Sequence, residues 1–290
     1  MNLDSVNALI RLMDDPDDQI FSLVYDKLKS YGPAAIPHLE SSWEEDDFGL
    51  IFQQRIENLI HEIQFENTKQ LLSEWISSDE KDLLKGAIIV AKFQYPGLSE
   101  EKIYAQIEQL RKDIWLEISQ GQTSFEKIRI FNKVFFERYG FHGNSKNFLS
   151  PLNSFINTVL ELKTGNPLSL SLLYSVIAQQ LEMPVYGVNL PNHFILAYMD
   201  QHHVHTYNNT KNQYGVLFYI NAFSKGSFLY EGDITDFLKQ LGVQAQRSHF
   251  EPCANSHIIL RMIVNLISSY QSSGNANKVR ELVEMRNLFH

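Results

Sequence analysis

The stretch from Gly165 to Tyr198, GNPLSLSLLYSVIAQQLEMPVYGVNLPNHFILAY, constrains this chain more than any other. Its Gly-Asn-Pro opening punctuates the chain and suits a helix start, because the N–H that proline lacks would be unpaired in a first helical turn anyway. A helix-length apolar run follows. Beyond a turn come two short runs rich in branched and aromatic residues, Val185 to Leu190 and Phe194 to Tyr198, parted by Pro191-Asn192. Such runs read as strands joined by a tight turn. A helix feeding a sheet therefore leaves His193 near the seam between them.

The strand series continues with His203 to Tyr207 and Val216 to Ile220, across the turns DQHH and NNTKNQYG. An antiparallel meander behind a helix is expected, which makes the fold class α+β. After Gly226 a helix is expected over Ile234 to Leu241. The closing segment SHIILRMIVNLISSYQSSGNANKVRELVEMRNLF reads as a helix hairpin with a Ser-Gly-Asn corner and resembles one tetratricopeptide-like unit.

Upstream the chain reads as helical. Leu3, Val6, Leu9, Ile10 and Leu12-Met13 fit one face of a short helix that Asp14-Asp15-Pro16 interrupts. Ile20, Leu23, Val24 and Leu28 mark a second, stopped at Tyr31-Gly32-Pro33, and Ala34, Ile36 and Leu39 a third that runs into the acids Glu44 to Asp47. The pattern DDPDDQIFSLVYDKLKSYGPAAIPHLESSW resembles a HEAT-type repeat, with a plain helical bundle as the alternative. Further helices are expected over Phe48–Ile63, Thr68–Ile76, Asp82–Phe93 and Ser99–Ile118. In the last, Ile103, Ile107, Leu110 and Ile114 make one apolar stripe. Trp43, Trp75 and Trp115 are expected in the core of this part, and the acids Glu44 to Asp47 at a solvated helix end rather than in a patch for a basic partner. The expected division is an α-helical HEAT-like region over 1–120, an α+β core over 121–245 and the helix hairpin over 246–290.

Composition removes several classes of function. A net charge of -9 with no cluster of Lys and Arg argues against nucleic acid, whose non-specific binding depends on counterion release by such clusters. With Cys253 as its single cysteine the chain can form no internal disulfide and no multi-cysteine zinc site. The opening MNLDSVNALIRLMDD has acids where a signal peptide carries bases, and no run is long enough to span a membrane. A cytoplasmic protein without cofactor is expected.

From Thr123 a more specific pattern emerges. FFERYGFHGN, the helix from about Leu152 to Leu162 with Asn153 and Asn157, the helix start TGNPLSLSLLY, VNLPNHF and the later FYINAFSKG together resemble the bacterial transglutaminase-like family called SirB-type or YchA-like. The resemblance covers roughly 125–226. It implies a papain-like core in which a cysteine thiolate at a helix start meets a histidine base, itself oriented by Asp or Asn. Placed on this sequence, the cysteine slot falls on Pro167, the histidine on His193 and the orienting residue on Asn221. Proline has no nucleophilic atom. The family resembled generally lacks the cysteine too, so the resemblance implies a degenerate site.

Three residues compete for the missing role. Ser169, or Ser171 beside it, would make a serine hydrolase in a cysteine-enzyme frame, although serine in a first helical turn commonly bonds its own backbone. Cys253 would need folding to bring it near, and its neighbourhood FEPCANSH carries no signal of a lowered pKa. His193 is open between a remnant site lining a cleft and a structural role. His203 and His205 share a strand face and with His202 suggest a metal, but a polar hairpin tip explains them without one, and no metal is expected. The loop YGFHGN lacks the Lys-Ser/Thr of a phosphate loop. Asn153, Asn157, Asn189 and Asn192 are expected to brace that loop and the strand corner, with Asn153, Asn189 and Asn192 bordering the cleft. The favoured reading is a non-catalytic binding or scaffold protein for an unknown peptide or protein, with no nucleic acid or membrane partner. The alternative is a hydrolase or acyl transferase using His193 with Ser169 or Cys253.

Overall fold

A computed structural model describes residues 3–43, 49–200 and 213–290. The expected strand His203 to Tyr207, the histidines His202, His203 and His205, and the acidic run Glu44 to Asp47 lie outside the described residues. The chain divides into two compact units, Met1–Glu74 with Lys92–Pro96, and Trp75–Ala91 with Gly97–His290.

The first unit is helical: α1 (Leu3–Arg11), α2 (Asp18–Ser30), α3 (Ile36–Trp43) and α4 (Leu50–Ser77), the last crossing the division. Asp17 caps α2 by accepting from the backbone N–H of Gln19 at 2.8 Å. Val6, Ile10, Leu28, Leu39, Phe52 and Ile56 meet in a shared core. Arg55 ties α4 to the first corner, donating to the Met13 carbonyl at 2.8 Å while its guanidinium covers the Phe21 ring at 4.0 Å. One expectation is corrected here. The helices expected over Phe48–Ile63 and Thr68–Ile76 are a single helix, because Gln64 to Asn67 contain no Gly or Pro to break it and Thr68 Oγ1 donates back to the Gln64 carbonyl at 2.9 Å. Another concerns tryptophan. Trp43 is 42% exposed and Trp115, in the second unit, 61% exposed, whereas Trp75 is buried at 2%. Each exposed ring sits at the last residue of its helix, where the apolar stripe runs out.

The second unit is built around the apolar helix α9 (Pro167–Gln180) and also holds the apolar, buried helix α5 (Leu83–Lys92). Every residue from Pro167 to Ala178 is buried, as a helix that is small or apolar all round must be. Against α9 stand α6 (Glu100–Trp115), α7 (Ser124–Asn132) running into a π-turn over Lys133–Arg138, and α8 (Ile156–Leu162). The stripe Ile103, Ile107, Leu110, Ile114 is the buried face of α6. Thr123 and Glu126 form a reciprocal capping box on α7. The helix expected from Leu152 begins only at Ile156, after a short 3-10 turn over Pro151–Asn153. Two strands of two residues, β1 (His142–Gly143) and β2 (Thr164–Gly165), pair in parallel and were not expected, being too short to carry a pattern.

The main sheet is antiparallel, in the order β3 (Val185–Leu190), β4 (His193–Met199), β5 (Val216–Asn221) and β6 (Ser227–Leu229). Leu190 pairs with His193 across Pro191-Asn192, and Asn192 takes the left-handed backbone (φ 56°) that a type II turn asks of its third residue. Helix α9 packs on β3 and β4. Val188, Ile195, Ala197 and Tyr219 instead join Ile234 and Leu238 of α10 (Glu231–Gln240). The alternation of strand side chains thus sets the sheet between two helices. Helices α11 (Asn255–Ser272) and α12 (Ala276–Asn287) close the chain and pack on each other, and α11 reaches α9.

Candidate functional site

Four segments far apart in sequence enclose one cavity of about 350 Å³: the start of α9 with Asn166 and Pro167, the β3–β4 turn with Asn192 and His193, the loop residues Phe148 and Leu149, and α11 with Arg261, Asn265 and Ser268. Each part has a local cause. Asn166 caps α9, its side-chain oxygen accepting from the backbone N–H of Leu168 at 3.0 Å and Ser169 at 2.9 Å. Ser169 Oγ completes the capping box by accepting from the Asn166 N–H at 3.0 Å, and it donates to the Asn153 carbonyl at 2.6 Å. The Ser169 hydroxyl is therefore spent on backbone, and this serine is buried outside the cavity lining. We expect Asn166→Ala to cost about 1–2 kcal/mol, read as a lower urea midpoint with an unchanged slope. A midpoint equal to that of the unaltered chain would mean that the cap carries no weight.

Asn153 is buried and supports the cavity rather than bordering it. Its amide nitrogen donates to the carbonyls of Asn147 at 2.8 Å and Phe148 at 3.1 Å, and its oxygen accepts from Asn144 at 2.9 Å, which holds the loop carrying Phe148 and Leu149. Asn189 accepts from the guanidinium of Arg261, and Asn192 lines the cavity. Asn157, expected as a brace, leaves its buried side-chain oxygen without a hydrogen-bond partner among the described residues.

The register brings Asn221 to His193. Leu196 faces Ile220, so the last residue of β5 sits diagonally across from the first of β4, and both point to the same face of the sheet. From that position the Asn221 side chain acts on the imidazole. Its influence favours the protonated ring, while its Oδ1 accepts from the Ser224 N–H at 3.2 Å. Burial nevertheless lowers the His193 pKa below its ordinary value, and the positive charge of Arg261 lowers it further. The Phe237 ring of α10 lies 6.0 Å from the imidazole, centroid to centroid.

A folded pKa below the unfolded value means that His193 contributes stability fully present above about pH 6.5, the ordinary histidine value, and lost as pH falls through its folded pKa. In an NMR titration the ring midpoint is expected below that of the unfolded chain. Asn221→Ala should move it lower still and Arg261→Gln should move it up. A midpoint indifferent to Asn221→Ala would show that the amide does not hold the ring.

Cys253 stands apart from the cavity lining. Its backbone N–H donates to the Gly187 carbonyl at 2.9 Å, and burial pushes its thiol up to about 11, so at neutral pH it is protonated and a poor nucleophile. Among the described residues no cluster of three His, Cys, Asp or Glu is placed to hold a metal.

A family model described as transglutaminase-like superfamily matches residues 101–264, more than half of the chain. The chain belongs to the transglutaminase-like superfamily. The match begins earlier and ends later than the 121–245 expected for the core, taking in α6 and the first part of α11. A UPF0162 protein of Xylella fastidiosa is 30% identical over 125 residues, 42% of this chain and 43% of that one. A UPF0162 protein of Vibrio cholerae is 26% identical over 119 residues, 41% of this chain and 44% of that one. F-box only protein 21 of Homo sapiens is 26% identical over 218 residues, covering 68% of this chain and 33% of its own length. The matches thus span less than half the length of these relatives. No solved structure matches the chain.

In this transglutaminase-like chain the helix-start position beside the histidine is Pro167, which lines the same cavity as His193. Sequence reasoning missed the contribution of α11. Its signal was there, since Arg261, Asn265 and Ser268 recur at helical spacing beside the buried Ile258, Met262 and Leu266 and form a polar stripe through the apolar middle of the helix. Phe148 and Leu149 were missed as well. They are exposed by 47% and 52% on a loop, where apolar residues have no periodicity to mark them.

No helix among the described residues is long and apolar enough to cross a membrane.

Proposed function

We propose that this chain is a non-catalytic member of its superfamily that binds a peptide or protein in the cleft beside Pro167. The observation that carries the reading is Pro167 itself. A residue without a nucleophilic atom stands at the helix start while His193, with Asn221 acting on its ring, lines the same open cavity. A cleft that keeps its walls can grip a chain without cutting it. In the same proposal the relationship is to the SirB-type (YchA-like) branch, the setting is cytoplasmic, and the N-terminal HEAT-like helices and the tetratricopeptide-like pair α11 and α12 serve as further protein-binding or scaffold surface.

The competing reading is a hydrolase or acyl transferase using His193 with Ser169 or Cys253. It has to free a hydroxyl bonded to the Asn153 carbonyl, or to ionise a thiol whose pKa is raised to about 11. The two readings part on one experiment. The intact chain is incubated with an activated ester and with a glutamine peptide plus a primary amine, and the products are followed by mass spectrometry. No turnover above the buffer rate is expected. Turnover that disappears in Ser169→Ala or Cys253→Ala sinks the proposal.

A further inference from the structure

We infer that the cleft recognises a carboxylate, held by the open edge of Arg261, with an apolar side chain of the same peptide against Phe148 and Leu149. The inference rests on the binding role proposed above and names the chemistry of what is bound.

Arg261 supplies the reason. Its Nη1 donates to the Asn189 side chain and, at 2.6 Å, to the Leu190 carbonyl, which fastens the guanidinium to the end of β3. Nη1 alone makes that tie. Among the described residues nothing accepts from Nε or Nη2, the two nitrogens that form the side of the fork a carboxylate takes with two parallel hydrogen bonds. Nor does any described carboxylate pair with this arginine, whose surroundings are set by burial and by Cys253. A half-buried guanidinium without a counter-charge destabilises a fold unless something satisfies it. The cavity wall offers that place, because Arg261 lines it together with the side chains of Asn192, Asn265 and Ser268 and with no Asp or Glu.

The charge count selects the ligand. His193 is held towards its neutral form, so the cleft carries about one positive charge in a chain of net charge -9. One fixed, pre-oriented cation suits a monoanion better than a doubly charged phosphate, which would meet the surrounding acidic field with only half its charge matched. The apolar share of the lining, Phe148, Leu149, Pro167 and Phe194, suits a hydrocarbon side chain next to the carboxylate rather than a free acid ion. A peptide offers both groups at its C-terminus, or at an internal Asp or Glu beside an apolar residue.

The test is calorimetric titration of the intact chain with three acetylated tetrapeptides. One ends in phenylalanine-leucine with a free carboxylate, one is its C-terminal amide, and one is an amide with an internal glutamate beside leucine. The free acid is expected to bind at least about tenfold tighter than its amide, the loss of a hydrogen-bonded charge pair, and to weaken with added salt. In Arg261→Gln that difference should vanish. Tighter binding of the internal-glutamate peptide with the same dependence on Arg261 also supports the carboxylate and assigns it to a side chain. Because Arg261→Gln also loosens the tie to β3, the acid-to-amide ratio on the unaltered chain stands as a measurement that needs no variant. Phe148→Ser, on the exposed rim, should weaken all peptides while keeping the ratio.

No gain over the plain amide for either the free acid or the internal-glutamate peptide, binding unchanged in Arg261→Gln, or no binding of any of the three overturns the inference. Mass spectrometry of the recovered peptides keeps the two levels apart. A cleaved or transferred peptide defeats the non-catalytic reading whatever the ratio, whereas an intact peptide that ignores its carboxylate defeats only the inference.

Discussion

Tyr174→Ala is expected to destabilise the fold by about 3–5 kcal/mol, the range for removing a large aromatic side chain from a packed core. Tyr174 is fully buried in the middle of α9, with the Phe131 ring 3.9 Å and the Phe135 ring 5.5 Å from its own, centroid to centroid. Its hydroxyl donates to Asn132 Oδ1 at 2.9 Å, which joins α9 to the end of α7. Alanine would leave a hole among rigid rings that cannot collapse into it, and it would strand the Asn132 oxygen. Domains of ordinary stability hold about 5–15 kcal/mol, so the variant should lie near the edge of folding at 37 °C. Tyr174→Phe separates the two contributions. It keeps the packing and should lose only about 1 kcal/mol for the hydrogen bond. Urea unfolding followed by near-ultraviolet circular dichroism reads both, and an alanine variant that loses less than the phenylalanine one would refute the packing account.

Gly226→Ala should destabilise by about 2 kcal/mol or more, through two causes that can be measured apart. Gly226 has φ 71°, in the left-handed region where a Cβ is strained. An added Cβ would also lie 2.2 Å from Asn132 Oδ1 and 2.4 Å from its Cγ. The amide cannot swing away freely, because its nitrogen donates to the Gly226 carbonyl at 2.9 Å and its oxygen accepts from Tyr174. This turn also matters to the cleft, since the Gly226 N–H donates to the Asn221 carbonyl at 2.9 Å. In a double-mutant cycle with Asn132→Ala, the clash part should disappear and the backbone part remain. Strict additivity would mean that the backbone strain acts alone. A drop in the His193 titration midpoint of Gly226→Ala would show that the turn's distortion reaches the Asn221 side chain.

Much of the second unit was legible because its signals are local. Val185 to Leu190 is a strand as read, and the Pro191-Asn192 corner turns where proline and a left-handed asparagine can turn it. Asn166-Pro167 opens a helix because an asparagine cap and a first-turn proline satisfy the helix end by themselves. Elsewhere local signals misled. The short polar stretch between Ile63 and Thr68 read as a gap, yet nothing in it breaks helical hydrogen bonding, and α4 runs through it. Trp43 and Trp115 read as core residues because size and hydropathy say nothing about where a helix end points. Strands β1 and β2, with two residues each, exist only because the chain returns a parallel partner.

The sequence by itself determined the α+β character, the helix start at Pro167 and the absence of a nucleophilic atom there, since each depends on residue type and near neighbours. It also carried the resemblance that named the superfamily. Only the tertiary structure decided what surrounds that helix start. The pairing of His193 with Asn221 depends on strand register, the commitment of Ser169 to the Asn153 carbonyl depends on how the preceding loop folds back, and the arrival of Arg261 depends on α11 returning to the sheet. These are contacts between residues 16 to 71 positions apart, whose geometry is set by the packing of whole elements and not by the preferences of any one segment.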